Sequence, residues 1–372
     1  MFSVVIHTPD VVGDRMAGPG IRAWHLAREL AKHFPTTLVA KCEGSEAEGV
    51  PVIEHNTDAA RAAMRDASVL IGQPARGFRK RRAGQRVIYD LFDPTVLELR
   101  ELYGNLPSLR QRVHLAAEWW RLSEALMRGD VLMCAASKQR RFYEKLQSGS
   151  APWIEVPFGI DPADVKTCPK PQDNIVIWGG GVWEWLDPAT AVEAIVRLNR
   201  EGLKAKLLFL GRSRPNSTQV VDRRRESRFD GLLARGGAHV SANDQWVPYR
   251  ERLAWLRSGK IAIMLHRRTA EAEYSIRTRL FDAIAAGTPV VATAGGFAAD
   301  LVGQEGLGIV VPPGDVAAVA DAIRRLLTDD AFYSSCVESL ERIRPRFAWE
   351  VVTRPLVSAI MKWQTQCSKS ER

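Results

Sequence analysis

Between Glu271 and Phe297 the chain reads EAEYSIRTRLFDAIAAGTPVVATAGGF, and few folds accommodate that order of signals. Leu280, Phe281, Ile284 and Ala285 recur at helical spacing, so one face of a short helix is apolar. Gly287 stands where a helix C-terminus takes a left-handed residue, and Pro289 blocks continuation. A β-branched run follows and closes on the small-residue loop Ala294-Gly295-Gly296. Helix, turn, strand and glycine loop make one αβ step of a parallel sheet, whose ligands gather at the carboxyl ends of strands. Arg277 and Arg279 then stand by a helix N-terminus, where backbone N–H groups and guanidinium forks together suit a diphosphate.

The same grammar repeats along the chain. Ser3–Thr8 is a short apolar strand. Asp10–Gly20 is a glycine-containing loop, and Ile21, Trp24, Ala27, Ala31 and Phe34 share one face of a helix. Strand, glycine loop and helix allow a phosphate-binding geometry, but Gly18-Pro19-Gly20 lacks the G-x-G-x-x-G spacing of a dinucleotide site. An ordinary βα turn with solvated arginines fits the same residues. Further strands are expected at Thr37–Ala40, Val69–Gly72, Arg86–Tyr89 and Asp130–Ala135. Asp93-Pro94 reads as the cap and first turn of a helix. Asp90 stands at a strand's carboxyl end, where a carboxylate can accept hydrogen bonds from a ligand.

With 372 residues the chain should form about two domains of roughly 100–200 residues each. Pro- and Lys-rich punctuation places the boundary near 163–172. Beyond it, Asn174–Trp178 is a buried-type strand running into Gly179-Gly180-Gly181, where a phosphate or sugar can approach the backbone. Asp187-Pro188 caps the next helix, and Trp183 and Trp185 either stack on a ligand or pack. Arg212, after the strand Lys206–Leu210, is another candidate phosphate ligand, and His266 ends the strand Ile261–Leu265. Asp315 caps an amphipathic helix.

The formal charge of +9 suits anionic partners. No helix-turn-helix, zinc-finger or RNA-recognition signature accompanies it, so nucleic acid is not expected. The basic run Arg76–Arg82, with Arg86, is either a solvated loop or a contact for anionic headgroups. Trp119-Trp120 reads as packing, membrane-interface or acceptor-stacking aromatics. Five cysteines without a C-x-x-C pair read as reduced thiols of a cytoplasmic protein with no zinc site. MFSVVIHTPD is a first strand and not a signal peptide, and no run reaches the roughly 18 apolar residues of a membrane span.

Leu280-Phe281-Asp282-Ala283-Ile284-Ala285-Ala286-Gly287-Thr288-Pro289-Val290-Val291-Ala292 resembles the motif of family 4 retaining glycosyltransferases. Arg277-Thr278-Arg279 resembles their bacterial surface-polysaccharide subgroup. Val156-Pro-Phe-Gly-Ile-Asp161 is similar to the family's interdomain link, with Phe158 for the usual Asn. Gly306–Asp315 is similar to its strand-and-cap near the end. The resemblance implies the α/β GT-B fold: two Rossmann-like domains facing across a cleft, with a C-terminal helix crossing back. Residues 1–165 with 346–372 would form the acceptor side, and 166–345 the donor domain. It implies sugar transfer from a nucleotide-diphosphate sugar, with retention, onto a glycan or lipid-linked glycan. A sugar-nucleotide epimerase of the same fold and a non-catalytic binding protein are the alternatives.

The residues it assigns are Glu273 for sugar hydroxyls, Asp282 for the ribose and Asp90 for the reacting face. Arg212, Arg277 and Arg279, with Gly180 and Gly181, would hold the diphosphate. The loop around Val247 would meet the base. Gly18 and Gly20, with Arg15 and Arg22, match the first loop. The family's Gly-Arg pair and following Lys are missing after Gly181. No cofactor and no metal is implied; there is no D-x-D motif. The basic stretch 76–86 is the expected place of any peripheral membrane contact.

Overall fold

The computed structural model describes residues 2–43, 49–80, 82–161, 174–211 and 223–370. The expected linker at 163–172 and Arg212 lie outside these. The chain divides into two compact units. One comprises Met1–Gly159, Tyr274–Ile276 and Phe347–Arg372; the other comprises Ile160–Glu273 and Arg277–Arg346.

The first unit is built on seven parallel strands: β1 (Val4–Gly13), β2 (Thr36–Glu43), β3 (Val52–Glu54), β4 (Val69–Gly72), β5 (Arg86–Asp90), β6 (Val131–Cys134) and β7 (Trp153–Glu155). They lie in the order β3-β2-β1-β4-β5-β6-β7. The second unit has six: β8 (Ile175–Trp178), β9 (Lys206–Phe209), β10 (Val240–Ala242), β11 (Ile261–Met264), β12 (Val290–Thr293) and β13 (Gly308–Val311), in the order β10-β9-β8-β11-β12-β13. All pairings are parallel. Each sheet thus carries the 3-2-1-4-5-6 winding of a Rossmann-like domain, in which the order reverses beside the first strand and leaves a crevice at the carboxyl edge.

Burial explains why these segments are strands. Val69–Gly72, Val131–Cys134, Ile261–Met264 and Val290–Thr293 are buried on both faces, as strands covered by helices on both sides must be. One core gathers Leu70, Val87, Tyr89, Leu126 and Leu132 in the first unit. Another gathers Trp178, Val192, Phe209, Ile263 and Ile323 in the second. Each such side chain contributes about 1.5–3 kcal/mol on burial.

The expected punctuation is present. Gly287 ends the helix Thr278–Ala286 in the left-handed region (φ 69°). Asp187 and Asp315 cap the helices Pro188–Arg200 and Val316–Thr328, accepting from the N–H of Thr190 and Ala318.

Three local expectations change. β1 runs on to Gly13 past an irregularity between His7 and Val11, and its helix starts at Gly18, so the glycine loop is shorter than its sequence implies. Gly20 lies in that helix, where a Cβ would drive into the carbonyl oxygen of Val11; it serves close helix–strand packing. Asp93 does not cap the helix Thr95–Tyr103. Its carboxylate instead accepts from Gln73 Nε2 at 3.1 Å, leaving Pro94 at the cap position.

Candidate functional site

The carboxyl edge of the first sheet is where Asp90 ends β5. Its two oxygens accept from Arg22 Nε (2.7 Å) and Nη2 (3.1 Å). Arg22 Nη1 donates to the carbonyls of Val156 and Pro157 at 2.9 and 3.2 Å, and the guanidinium lies 4.8 Å over the ring of Phe92. Arg22 is 1% exposed, so it is not the solvated loop arginine that its neighbourhood in sequence allows. A carboxylate clamped bidentately by a buried guanidinium has its charge matched and one hydrogen bond on each oxygen, an arrangement that suits positioning.

The link Val156–Gly159 is held in the same way. Phe158 packs on Phe92 and Trp349, and a Cβ at Gly159 would strike the Trp349 ring. Beside this pair, burial and the Asp10 charge push the Asp93 carboxyl up to about 7.

The basic stretch 76–86 is partly structural. Phe78 is buried, and Arg82 donates to the carbonyls of Arg65, Asp66 and Ala67 at the end of the helix Asp58–Asp66. Arg76, Arg79 and Lys80 are exposed. Among the described residues no helix is long and apolar enough to cross a membrane.

The carboxyl edge of the second sheet is arranged differently. β8 ends in Gly179-Gly180-Gly181, with Gly180 in the left-handed region (φ 73°). From the helix Thr278–Ala286, Arg279 donates through Nη2 to the carbonyl of Gly181 at 3.1 Å. Its Nη1 is buried and has no hydrogen-bond partner among the described residues. Burial, with the charge of Arg277, lowers this guanidinium to about 9, so it remains cationic at neutral pH. The ring of Trp246 lies along Gly180 and Gly211; a Cβ at Gly211 would sit 3.2 Å from it. Val247, next in that loop, is buried.

Arg277 is committed locally. Its Nη1 and Nη2 each donate at 2.7 Å to the fully buried carboxylate of Glu271, and only Nε is left unpartnered. Glu271 carries no motif of its own; its one signal is a carboxylate six residues before an arginine. Glu273, two residues on, accepts the N–H of Gly296 at 3.3 Å, at the start of the helix Gly296–Glu305. Gly296 must be glycine, since it holds φ 71° and a Cβ would meet the carbonyl of Ala272.

His266 follows β11 and closes this corner. A Cβ at Gly295 would lie 3.6 Å from Glu273 Oε2 and 3.7 Å from His266 Cε1. His266 Nδ1 is 3.0 Å from the carbonyl of Arg267, so the neutral ring carries its proton there and presents Nε2 as an acceptor. Burial, and secondarily Arg277, lowers the His266 pKa and favours that neutral form.

Asp282 lies on the same helix as Arg279 and accepts from Arg252 Nε at 3.0 Å; Arg252 also rests 3.7 Å over the Tyr249 ring. Trp183 and Trp185 stack on each other with ring centroids 5.6 Å apart and join the core, which decides for packing. The edge therefore offers a glycine turn, a cation with an unused N–H, and a carboxylate and an imidazole acceptor at the adjoining strand end. These are the groups needed to hold a diphosphate and a polyhydroxylated ring.

Residues 173–329, which contain this edge, match the family model described as glycosyl transferases group 1. No curated protein matches the chain by sequence. Among solved structures it is similar to sucrose-phosphate synthase from Thermosynechococcus elongatus, with TM-score 0.71, 16% identity and full coverage of both chains. It is likewise similar to Anabaena HepE in complex with UDP-glucose, with TM-score 0.71, 14% identity, and 97% and 100% coverage. WaaG, a glycosyltransferase involved in lipopolysaccharide biosynthesis, gives TM-score 0.68 at 16% identity, covering 96% and 99%. At these identities the likeness establishes the fold, which is GT-B.

Proposed function

We propose that this chain is a glycosyltransferase that moves a sugar from a nucleotide-diphosphate donor, with retention of anomeric configuration, onto a glycan or lipid-linked glycan in surface-polysaccharide synthesis. The observation that carries the reading is Arg279. It is a cation with an unpartnered buried N–H beside a glycine turn, at the sheet edge where a doubly wound fold receives nucleotides. It supplies a positive charge where the family's Gly-Arg pair and Lys are missing. The family match over the same residues supports the reaction class. The UDP-glucose held by HepE supports a nucleotide sugar as the donor type.

As the glycosidic bond to the diphosphate breaks, negative charge grows on the leaving oxygen. Arg279 and the backbone N–H groups of the glycine turn offset that charge. Arg277, held by Glu271, adds Nε and the local positive field. Glu273 and His266 Nε2 accept sugar hydroxyls, and Asp282 is assigned to the ribose. Asp90 serves to fix the first unit's edge.

A thermal-shift panel of nucleotide diphosphates and their sugars tests the donor site. A ligand at about 100 times its dissociation constant adds ~2.7 kcal/mol, enough to move a melting curve. A shift with one nucleotide, followed by acceptor-dependent turnover of its sugar, is the expected result. Binding without turnover on any glycan would favour a non-catalytic protein, and isomerisation without acceptor would favour an epimerase. No shift with any nucleotide would remove the donor assignment.

A further inference from the structure

The helix Leu109–Arg128 in the first unit carries an apolar face that its own fold does not cover. Its buried side is Leu122, Ala125 and Leu126. On the opposite side, Leu109, Val113, Ala116, Trp120 and Met127 are all exposed, spaced by three, four or seven residues and so aligned in one stripe. Leu106, in the turn before the helix, is 92% exposed, and Trp120 is 63% exposed. Most large exposed apolar side chains among the described residues belong to this one stretch. A run of this kind on a soluble surface marks a site of contact.

The charges beside the stripe say what it contacts. Both carboxylates of the helix are withdrawn from solvent into pairs along it: Glu118 with Arg121 and His114, and Glu124 with Arg128. Outside those pairs, Arg110 and Arg112 stand exposed. The surface is therefore apolar along its crest and basic on its flanks, with a tryptophan in the middle. That is the composition of a helix lying in the plane of an anionic lipid interface. A second copy of the chain is a poorer occupant, because a two-fold contact would set the same arginines against each other. The basic stretch 76–86 is also poorer, since its one large apolar side chain, Phe78, is buried and leaves charge alone.

We infer that the Leu106–Arg128 face docks this protein on a membrane surface bearing anionic headgroups. The inference is independent of the donor chemistry, since it uses no residue of the second unit. It accords with an acceptor carried on lipid.

The experiment is co-sedimentation of the full chain with phosphatidylcholine vesicles, with or without phosphatidylglycerol. The expected result is binding to the phosphatidylglycerol vesicles that is at least about tenfold stronger than to phosphatidylcholine alone and that weakens with salt. The Val113→Glu/Trp120→Glu double variant should lose at least about tenfold of that binding. Its melting temperature should be unchanged, because both side chains are already exposed. An Arg110→Gln/Arg112→Gln variant should lose the preference for phosphatidylglycerol while keeping residual apolar binding. No association of the wild type with phosphatidylglycerol vesicles would overturn the inference, as would a double variant that binds as tightly. A lipid-free wild-type dimer made monomeric by the double substitution would reassign the face to self-association.

Discussion

Arg22 and Arg279 each reach the carboxyl edge of a parallel sheet with the same winding, and their surroundings differ in what they leave unspent. Around Arg22 every nitrogen of the fork is used: two on Asp90 and one shared between the carbonyls of Val156 and Pro157. Around Arg279 one hydrogen bond is made, to Gly181, with the guanidinium 5.7 Å over the Trp178 ring, and Nη1 is buried and unpaired among the described residues. An arginine whose nitrogens are all bonded inside the fold holds the fold. One that leaves a buried donor open pays a desolvation cost of about 1–3 kcal/mol that an incoming anion can relieve. Residue type and place in the sheet are shared; the difference lies in the accounting of hydrogen bonds.

The largest expected effect comes from breaking the closed pair. Arg22→Met leaves Asp90 buried without its cation and should destabilise the protein by about 3–5 kcal/mol. Denaturant titration measures this, and the surviving folded fraction should bind nucleotide with unaltered affinity. A stable Arg22→Met protein with lost nucleotide binding would invert the comparison. Next is Arg279→Met, which should weaken nucleotide-diphosphate binding about 100-fold, or ~2.7 kcal/mol, with little change in stability.

Glu273→Gln sharpens the account at the sugar end. It should lower turnover at least about tenfold, or ~1.4 kcal/mol, while nucleotide affinity is kept. Near wild-type turnover would take Glu273 out of the site.

A separate, pH-dependent effect belongs to Asp93. An unfolded aspartate titrates near 3.9, whereas this carboxyl is raised to about 7 in the fold. Between those values the folded state keeps a proton that the unfolded state has lost, so stability falls as pH rises through the window and then levels. Asp93→Asn cannot titrate. Its stability relative to wild type should therefore climb by up to about 4 kcal/mol from acid to neutral pH and stay flat in alkali. Paired melting curves across pH would show this, and parallel curves would contradict it.

The same contrast explains what was legible in the sequence. Local signals survived folding: the Gly287 stop, the Asp187 and Asp315 caps, and the β-branched runs that became β4, β11 and β12. Each depends on neighbours within a few residues. Arg22 finds its partners 68 and 134 positions away, so nothing near it distinguishes a buried clamp from a solvated turn. Asp93 had a good capping sequence but was taken by Gln73, which comes from the end of another strand. Arg277 and Arg279 look alike in sequence, and only the buried Glu271 separates their roles. The parallel αβ character of the chain was readable from strand and helix alternation, the Rossmann-like fold came with the family resemblance, and the choice of partner for each charged group was not readable.

The central claim is that the second unit's edge holds the anion through Arg279. Its most direct test is calorimetric titration of the nucleotide diphosphate selected by the thermal-shift panel into wild-type and Arg279→Met protein of matched melting temperature. The account predicts a single wild-type site and an affinity reduced about 100-fold in the variant. Equal affinities would show that the anion is held elsewhere and that the open nitrogen of Arg279 has no part in it.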